Sequence, residues 1–143
     1  MNEELLIEQL TQEYTDRLDE FEIFLEATFA FFNRSARLNS GNPPAIHSLK
    51  HRLKDPNHLR EKLRRKLDDG RTINQENLFQ TITDLAGIRV IHLYQNQLSS
   101  IHEAISAKVT AGDWVLGEQP KAHTWDHESE NYLKSLGLEV VVK

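Results

Sequence analysis

Cysteine is absent from this sequence of 143 residues, so disulfide bonds, thiolate metal sites and a cysteine nucleophile are all excluded. A targeting segment is not evident either, because the chain begins with acidic residues instead of a basic stretch before an apolar core. No apolar run approaches the roughly 20 residues of a membrane-spanning helix. We therefore expect a cytoplasmic protein without a membrane partner.

Familiar enzyme motifs are also missing. The chain has neither a glycine-rich phosphate-binding loop nor the serine elbow of hydrolases. Two pairs of histidines, His47/His51 and His123/His127, have a spacing that can bind zinc on a helix, but neither pair has a third ligand nearby. The sequence gives little support to zinc or to these enzyme classes.

Positive charge is scarce overall but concentrated in one segment. The net charge is -5, from 17 Lys and Arg against 22 Asp and Glu. Residues 47–71 hold nine of the basic residues and four of the acidic ones, which is a local excess of five positive charges. A single basic patch on an acidic body favours a compact polyanion such as a nucleotide over a long nucleic acid.

Periodicity and end signals predict the secondary structure. Residues 3–37 lack Gly and Pro and repeat apolar side chains at steps of three and four, which predicts one long amphipathic helix or two in line. Asp55 followed by Pro56 predicts the start of a second helix, which runs to about Asp68 and is capped by Gly70. The remaining pattern predicts a helix over 75–83, a central strand over 88–94 covered on both faces, a helix over 97–109, a strand over 114–117, a polar connection over 119–126, a helix over 128–136 and a strand over 138–142.

These elements define an α+β protein. An N-terminal helical region, residues 1–44, precedes residues 45–143, in which the order after residue 85 is β-α-β-α-β. One domain over residues 1–143 is expected at this length. Because the sequence stops at the end of a predicted strand, we interpret the chain as a truncated, N-terminal portion of its fold.

The basic segment contains a helix whose faces can be calculated. At 100° per residue, His58, Lys62 and Arg65 fall within about 60° of one another, beside a stripe of leucines. Arg52 and Lys54 precede this helix, so all five side chains can converge near its N-terminus, where the helix dipole also favours an anion. A solvated basic helix face is the competing interpretation.

An acidic residue follows in the segment TDLAGIR, residues 83–89. Asp84 lies where a predicted helix gives way to a strand, a position from which a carboxylate can bind a hard cation such as Mg²⁺. A structural salt bridge between Asp84 and Arg89 is the competing interpretation.

Together, RLKDPNHLREKLRRK (residues 52–66) and ITDLAGIRVI (residues 82–91) resemble the RelA/SpoT synthetase domain, the family that makes the alarmone (p)ppGpp of the stringent response. The likeness lies in an Arg-x-Lys segment, a basic helix with Lys-Leu-x-Arg-Lys, and the series Asp-hydrophobic-Ala-Gly-hydrophobic-Arg. The resemblance implies a nucleotidyltransferase-like fold and a GTP diphosphokinase, which transfers pyrophosphate from ATP to the 3′-hydroxyl of GDP or GTP and releases AMP.

The resemblance also implies roles for individual residues. Asp84 would be the catalytic residue and the Mg²⁺ ligand, and Arg52 and Arg89 would flank the adenine of ATP. The ATP phosphates would be held by Lys54, Lys62 and Arg65. His58 stands where the family commonly has a small hydroxyl residue, and it can still donate to a phosphate.

The acceptor side departs from the family. The Tyr-x-Ser-x-His segment for the acceptor guanine, and a later Glu for the metal, are absent from these 143 residues, so we expect this chain alone to be inactive in transfer. One alternative is a toxin of the same family that acts on the 3′ end of tRNA, with Lys50, Arg60 and Arg64 contacting the RNA. Another is a catalytically incomplete nucleotide-binding or interaction module, and a homo-oligomer is compatible with the apolar stripe of the first helix.

Overall fold

The computed structural model describes residues 2–143 and shows an α+β fold, as predicted. The helices are α1 (Glu3–Asp16), α2 (Leu18–Arg34), α3 (Ala36–Asn39), α4 (Pro56–Asp68), α5 (Leu78–Thr81), α6 (Gln97–Thr110) and α7 (His127–Ser135). The strands are β1 (Ser48–Leu53), β2 (Ala86–Ile91), β3 (Lys121–Thr124) and β4 (Glu139–Val142). Within residues 2–143, no helix combines the length and apolar character needed to cross a membrane.

The strands form two separate two-stranded sheets. β1 pairs antiparallel with β2, and β3 pairs parallel with β4. The order β2-α6-β3-α7-β4 follows the predicted alternation, but these strands do not share one sheet. The prediction of a central strand covered on both faces is wrong, since β2 pairs with β1 alone among the described strands and leaves Gly87 and Arg89 exposed.

The N-terminal region folds as two consecutive long helices, followed by the short α3. The break falls at Arg17, whose backbone angles (φ -107°, ψ 9°) are not helical. The apolar stripe of α1 buries Ile7, Leu10 and Tyr14 against Leu59 and Leu63 of α4. Each fully buried leucine in this α1–α4 core contributes roughly 1.5–3 kcal/mol, so α4 is held firmly against α1.

A second core supports the β1–β2 sheet from one side. Phe32, Leu38 and Ile101 are buried there, and the β1–β2 sheet contributes alternate apolar residues, Leu49 and Val90 among them. Successive side chains of a strand point to opposite faces. The residues between these apolar positions therefore lie on the opposite face of the β1–β2 sheet.

Helix α4 has the predicted ends. The Asp55 carboxylate accepts a hydrogen bond from the backbone N–H of Asn57 at 2.8 Å, and Pro56 occupies the first helical turn. Gly70 follows the helix with φ +86°, a left-handed conformation that glycine adopts without strain. The predicted cap residues therefore set both ends of this helix.

Two other local predictions are wrong. The helix predicted over 75–83 is reduced to α5, because the side chain of Asn74 accepts the N–H groups of Glu76 and Asn77 and so competes with helix formation. The segment 114–117 is not a strand, and Val115 is 93% exposed. The strand of this region is β3, inside the predicted polar connection.

Candidate functional site

One face of the β1–β2 sheet is lined by cationic side chains. Lys50 lies directly opposite Arg89, and Arg52 lies directly opposite Gly87, so these side chains share a face. This face forms the wall of an open cavity of about 630 Å³, which Thr83 and Asp84 also line. Because Gly87 has no side chain, the space in front of Arg52 stays open.

Asp84 lies beside this cavity in contact with two lysines. Its Oδ2 atom is 2.8 Å from Lys54 Nζ and 2.9 Å from Lys62 Nζ, and Arg52 is at 4.0 Å. Lys54 immediately follows β1, Lys62 belongs to α4, and Asp84 precedes β2. The α1–α4 core and the β1–β2 sheet together fix these three side chains, because Lys62 lies on the packed helix α4 and the other two residues lie at the ends of paired strands.

The charges around Asp84 keep it ionised. Burial by itself disfavours the charged carboxylate, but hydrogen bonds from Lys54 and Lys62, and the charges of these lysines, outweigh it and lower the pKa of Asp84 from 3.8 to about 2. Lys54 is itself buried, with 9% of its side chain exposed. The site therefore holds a permanent negative charge among several positive ones.

The second oxygen of Asp84 is enclosed and lacks a hydrogen-bond partner within residues 2–143. A buried carboxylate oxygen without a donor is unfavourable, and a bound cation would satisfy it. No group of three or more His, Asp or Glu side chains in the described chain is arranged to hold a metal. Mg²⁺ commonly uses one or two carboxylates together with substrate phosphates. Asp84 thus fits as the protein ligand of a Mg²⁺ ion that also contacts a nucleotide.

The basic stripe of α4 is only partly drawn into the site. Lys62 reaches Asp84, whereas His58 and Arg65 are exposed and do not line the cavity. All three lie on one side of α4, as the helical periodicity predicts. Arg89 lines the cavity without forming a salt bridge to Asp84 among residues 2–143, so the competing interpretation of an Asp84–Arg89 pair is wrong.

The three cations considered for RNA contact are separated by the fold. Arg60 pairs with Glu8 at 2.9 Å and Arg64 with Glu4 at 3.2 Å, so both bridge α4 to α1. Lys50 instead lines the cavity beside Arg52 and Arg89. These residues therefore do not form one continuous basic surface.

The histidine pairs have other contacts. His51 packs edge-on against Phe29 of α2, with ring centroids 5.0 Å apart, and His127 lies 3.6 Å from Glu130 on α7. Sequence reasoning missed Tyr14, a buried residue of α1 whose hydroxyl contacts the backbone of Lys54. No motif marks it, because an aromatic residue on an apolar helix stripe is usual in a core.

These features define an α+β domain with a cationic cavity beside one ionised carboxylate, a site suited to a polyanion and a hard cation. A family model described as "Region found in RelA / SpoT proteins" matches residues 51–139, which is more than half of the chain and includes the second half of β1, α4, Asp84 and β2. The chain belongs to this family, which is of the (p)ppGpp synthetase type. Neither a comparison with curated proteins nor one with solved structures gave a match.

Proposed function

We propose that this chain is the ATP-binding portion of a (p)ppGpp synthetase, an ATP:GDP/GTP 3′-pyrophosphotransferase with a nucleotidyltransferase-like core. The observation that carries the proposal is the contact of Lys54 and Lys62 with one ionised Asp84 at the edge of a cationic cavity. The family match covers all three residues.

The adenine side of the site is assigned to the arginines. Arg52 lies directly opposite Gly87, and Arg89 is two residues further along β2 on the same face, so the two arginines are diagonal neighbours. A guanidinium plane stacks well on a base, and the missing side chain at Gly87 leaves room for a flat ring. Lys50 adds a further positive charge to the same wall, so the cavity attracts an anionic nucleotide over a neutral nucleoside.

The triphosphate side is assigned to the lysines. When phosphate oxygens enter beside Asp84, Lys54 and Lys62 can donate to them, and the carboxylate of Asp84 would hold Mg²⁺. His58 and Arg65, on the same side of α4, extend this row of donors toward the outer phosphates. Bound Mg²⁺ would supply charge neutralisation of the phosphate oxygens, which is its general contribution to phosphoryl transfer.

The chemistry proposed for the complete enzyme is a substitution at the β-phosphorus of ATP. The 3′-oxygen of the acceptor forms a bond to this phosphorus, the bond to the bridging α,β-oxygen breaks, AMP leaves, and the 3′-hydroxyl proton passes to a base. Lys54, Lys62 and the arginines of this chain orient the donor and stabilise its charge, which is most of what such a transfer requires. With no Tyr-x-Ser-x-His segment in the 143 residues, we expect this chain to bind ATP and transfer little.

Titration calorimetry with ATP, GTP and AMP, each with Mg²⁺, tests the binding proposal. ATP is expected to bind best, because AMP lacks the phosphates that the lysines would hold. Equal affinity for the three nucleotides would contradict the assignment. An assay with labelled ATP, offered GDP, GTP and tRNA in turn, tests transfer, and robust (p)ppGpp formation by the 143-residue chain would contradict the expected inactivity.

A nucleotide-binding module without catalysis is the second candidate. The single carboxylate at the site favours it, since Asp84 is the one acidic residue among the described residues that line the cavity. The two candidates differ in a longer chain that carries the acceptor segment. Transfer activity there supports the synthetase, whereas ATP binding without transfer supports the module.

A further inference from the structure

The hydroxyl group of Tyr14 joins the two chain segments that carry the charged pair. It donates a hydrogen bond to the carbonyl oxygen of Lys54 at 2.7 Å and lies 3.5 Å from the carbonyl oxygen of Leu85. The backbone N–H of Lys54 in turn donates to the same Leu85 carbonyl at 2.7 Å. These contacts lie where β1 ends and β2 is about to begin.

The position of this contact relates it to the site. Lys54 supplies the ammonium group, and Leu85 directly follows Asp84, which supplies the carboxylate. Tyr14 is fully buried, and its ring also packs on Phe21 at 5.4 Å between centroids. Burial raises the pKa of the Tyr14 hydroxyl, so the group remains a donor at neutral pH.

We propose that Tyr14 is a positioning residue, whose hydroxyl holds the Lys54 and Leu85 backbones in register and thereby sets the contact between Lys54 and Asp84. Helix α1 lies outside the family match at residues 51–139, so the proposal adds a residue of the N-terminal region to the site. Its effect on ligand binding rests on the proposed function. Its effect on the Lys54–Asp84 contact does not.

A purely structural role makes a different prediction from a positioning role. Tyr14→Phe keeps the ring in the core and removes only the donor, which makes it the sharpest variant. Ile7→Val is the matched control, because Ile7 is fully buried on the same helix and in the same α1–α4 core. The control lowers stability through lost packing and leaves the Tyr14 hydroxyl in place.

The first measurement needs no ligand. By NMR, we expect Tyr14→Phe to speed hydrogen exchange of the Lys54 amide about tenfold and to broaden the signal of the Lys54 ammonium, which is protected by its contact with Asp84. In Ile7→Val both signals should stay as in the wild type, once exchange is compared at equal global stability. Unchanged Lys54 signals in Tyr14→Phe would overturn the proposal.

The second measurement uses a nonhydrolysable ATP analogue with Mg²⁺. Tyr14→Phe should weaken its binding about three- to tenfold, and Ile7→Val should leave it within about twofold, since one neutral hydrogen bond is typically worth this much. Equal affinity in Tyr14→Phe and the wild type would overturn the role in binding. If the wild type does not bind the analogue, the proposed function fails, and the NMR signals still decide the positioning role.

A measurement on the unsubstituted chain tests the Tyr14 contact even if the variant does not fold. The Tyr14 hydroxyl proton, buried and bonded to Lys54, should exchange slowly enough to give its own NMR signal, with a cross-peak to the Lys54 or Asp55 backbone. The absence of any such contact would overturn the proposal without a substitution.

Discussion

Lys54 and Asp84, which are 30 residues apart in the sequence, meet with 2.8 Å between Lys54 Nζ and Asp84 Oδ2. Lys54 is nearly buried, whereas 38% of the Asp84 side chain is exposed, so the lysine has little solvent to replace its partner. The ammonium group is thus tied to the carboxylate, while part of the Asp84 side chain faces the cavity.

Replacing Lys54 should cost more than replacing Lys62, although both contact the same oxygen. Lys54→Met leaves Asp84 without its buried donor and should lower the free energy of unfolding by about 1–3 kcal/mol. Lys62→Met removes a more exposed partner and should cost about 0–1 kcal/mol. Urea unfolding of the two variants measures the difference, and equal losses would contradict the special position of Lys54.

Asp84 should make stability depend on pH at the acidic end. Its pKa is about 2 in the folded chain against 3.8 ordinarily, so its contribution is fully present above about pH 4 and is lost as pH falls through about 2. The full shift would correspond to roughly 2 kcal/mol, but the exposure of the carboxylate reduces this to about 1 kcal/mol. Because other acids titrate in the same range, the measurement is the difference in unfolding free energy between the wild type and Asp84→Asn, followed from pH 6 to pH 2. A difference that does not change with pH would contradict the lowered pKa.

Asp84 should link nucleotide binding to Mg²⁺. In the wild type, Mg²⁺ should strengthen ATP binding about tenfold or more, because Asp84 would hold the ion and the ion would offset the negative charge of the phosphates. In Asp84→Asn this enhancement should largely disappear, while ATP without Mg²⁺ should bind at least as well, since one negative charge has been removed. Calorimetry with and without Mg²⁺ measures both. In a longer chain with the acceptor segment, the same substitution should abolish transfer and leave the fold intact.

The planar group of Arg89, and not only its charge, should matter for ATP. Arg89→Ala should weaken ATP binding about 3- to 30-fold, and Arg89→Lys should recover only part of the loss, because an ammonium group does not stack as a guanidinium does. Arg71→Ala is the matched control, since it also removes one arginine charge but Arg71 does not line the cavity. If the control and Arg89→Ala lose the same affinity, the effect is one of general charge and the stacking role is wrong.

Local signals explain which elements could be predicted. Asp55, Pro56 and Gly70 specify α4 within their own neighbourhood, and the long apolar periodicity of residues 3–37 is sufficient for α1 and α2. β1 was missed because four of its six residues, Ser48 and Lys50 to Arg52, are polar and its order comes from pairing with β2, far along the sequence. The short α5 reflects side-chain hydrogen bonds of Asn74, which helical periodicity does not register.

The residues of the candidate site also divide into those that local sequence signals identify and those whose positions depend on distant contacts. Asp84, Lys54 and Lys62 could be singled out because charge type and spacing resemble a family pattern, and the structure brings these three together. Other positions depend on how α4 and the β1–β2 sheet are oriented. These are the exposed positions of His58 and Arg65 and the place of Lys50 in the cavity wall. Tyr14 lies 40 residues from the carbonyl it contacts, and only the packing of α1 makes that contact possible.

Lys50 and Arg89 are directly opposite each other on β1 and β2, and like charges in directly opposite positions weaken a strand pair. An anion bound in the cavity would screen this repulsion, so part of its binding energy would appear as tighter pairing of β1 with β2. The β1–β2 sheet would then report whether the cavity is occupied. Its amide protons would become more protected from exchange as nucleotide is added, even at positions that do not contact the ligand.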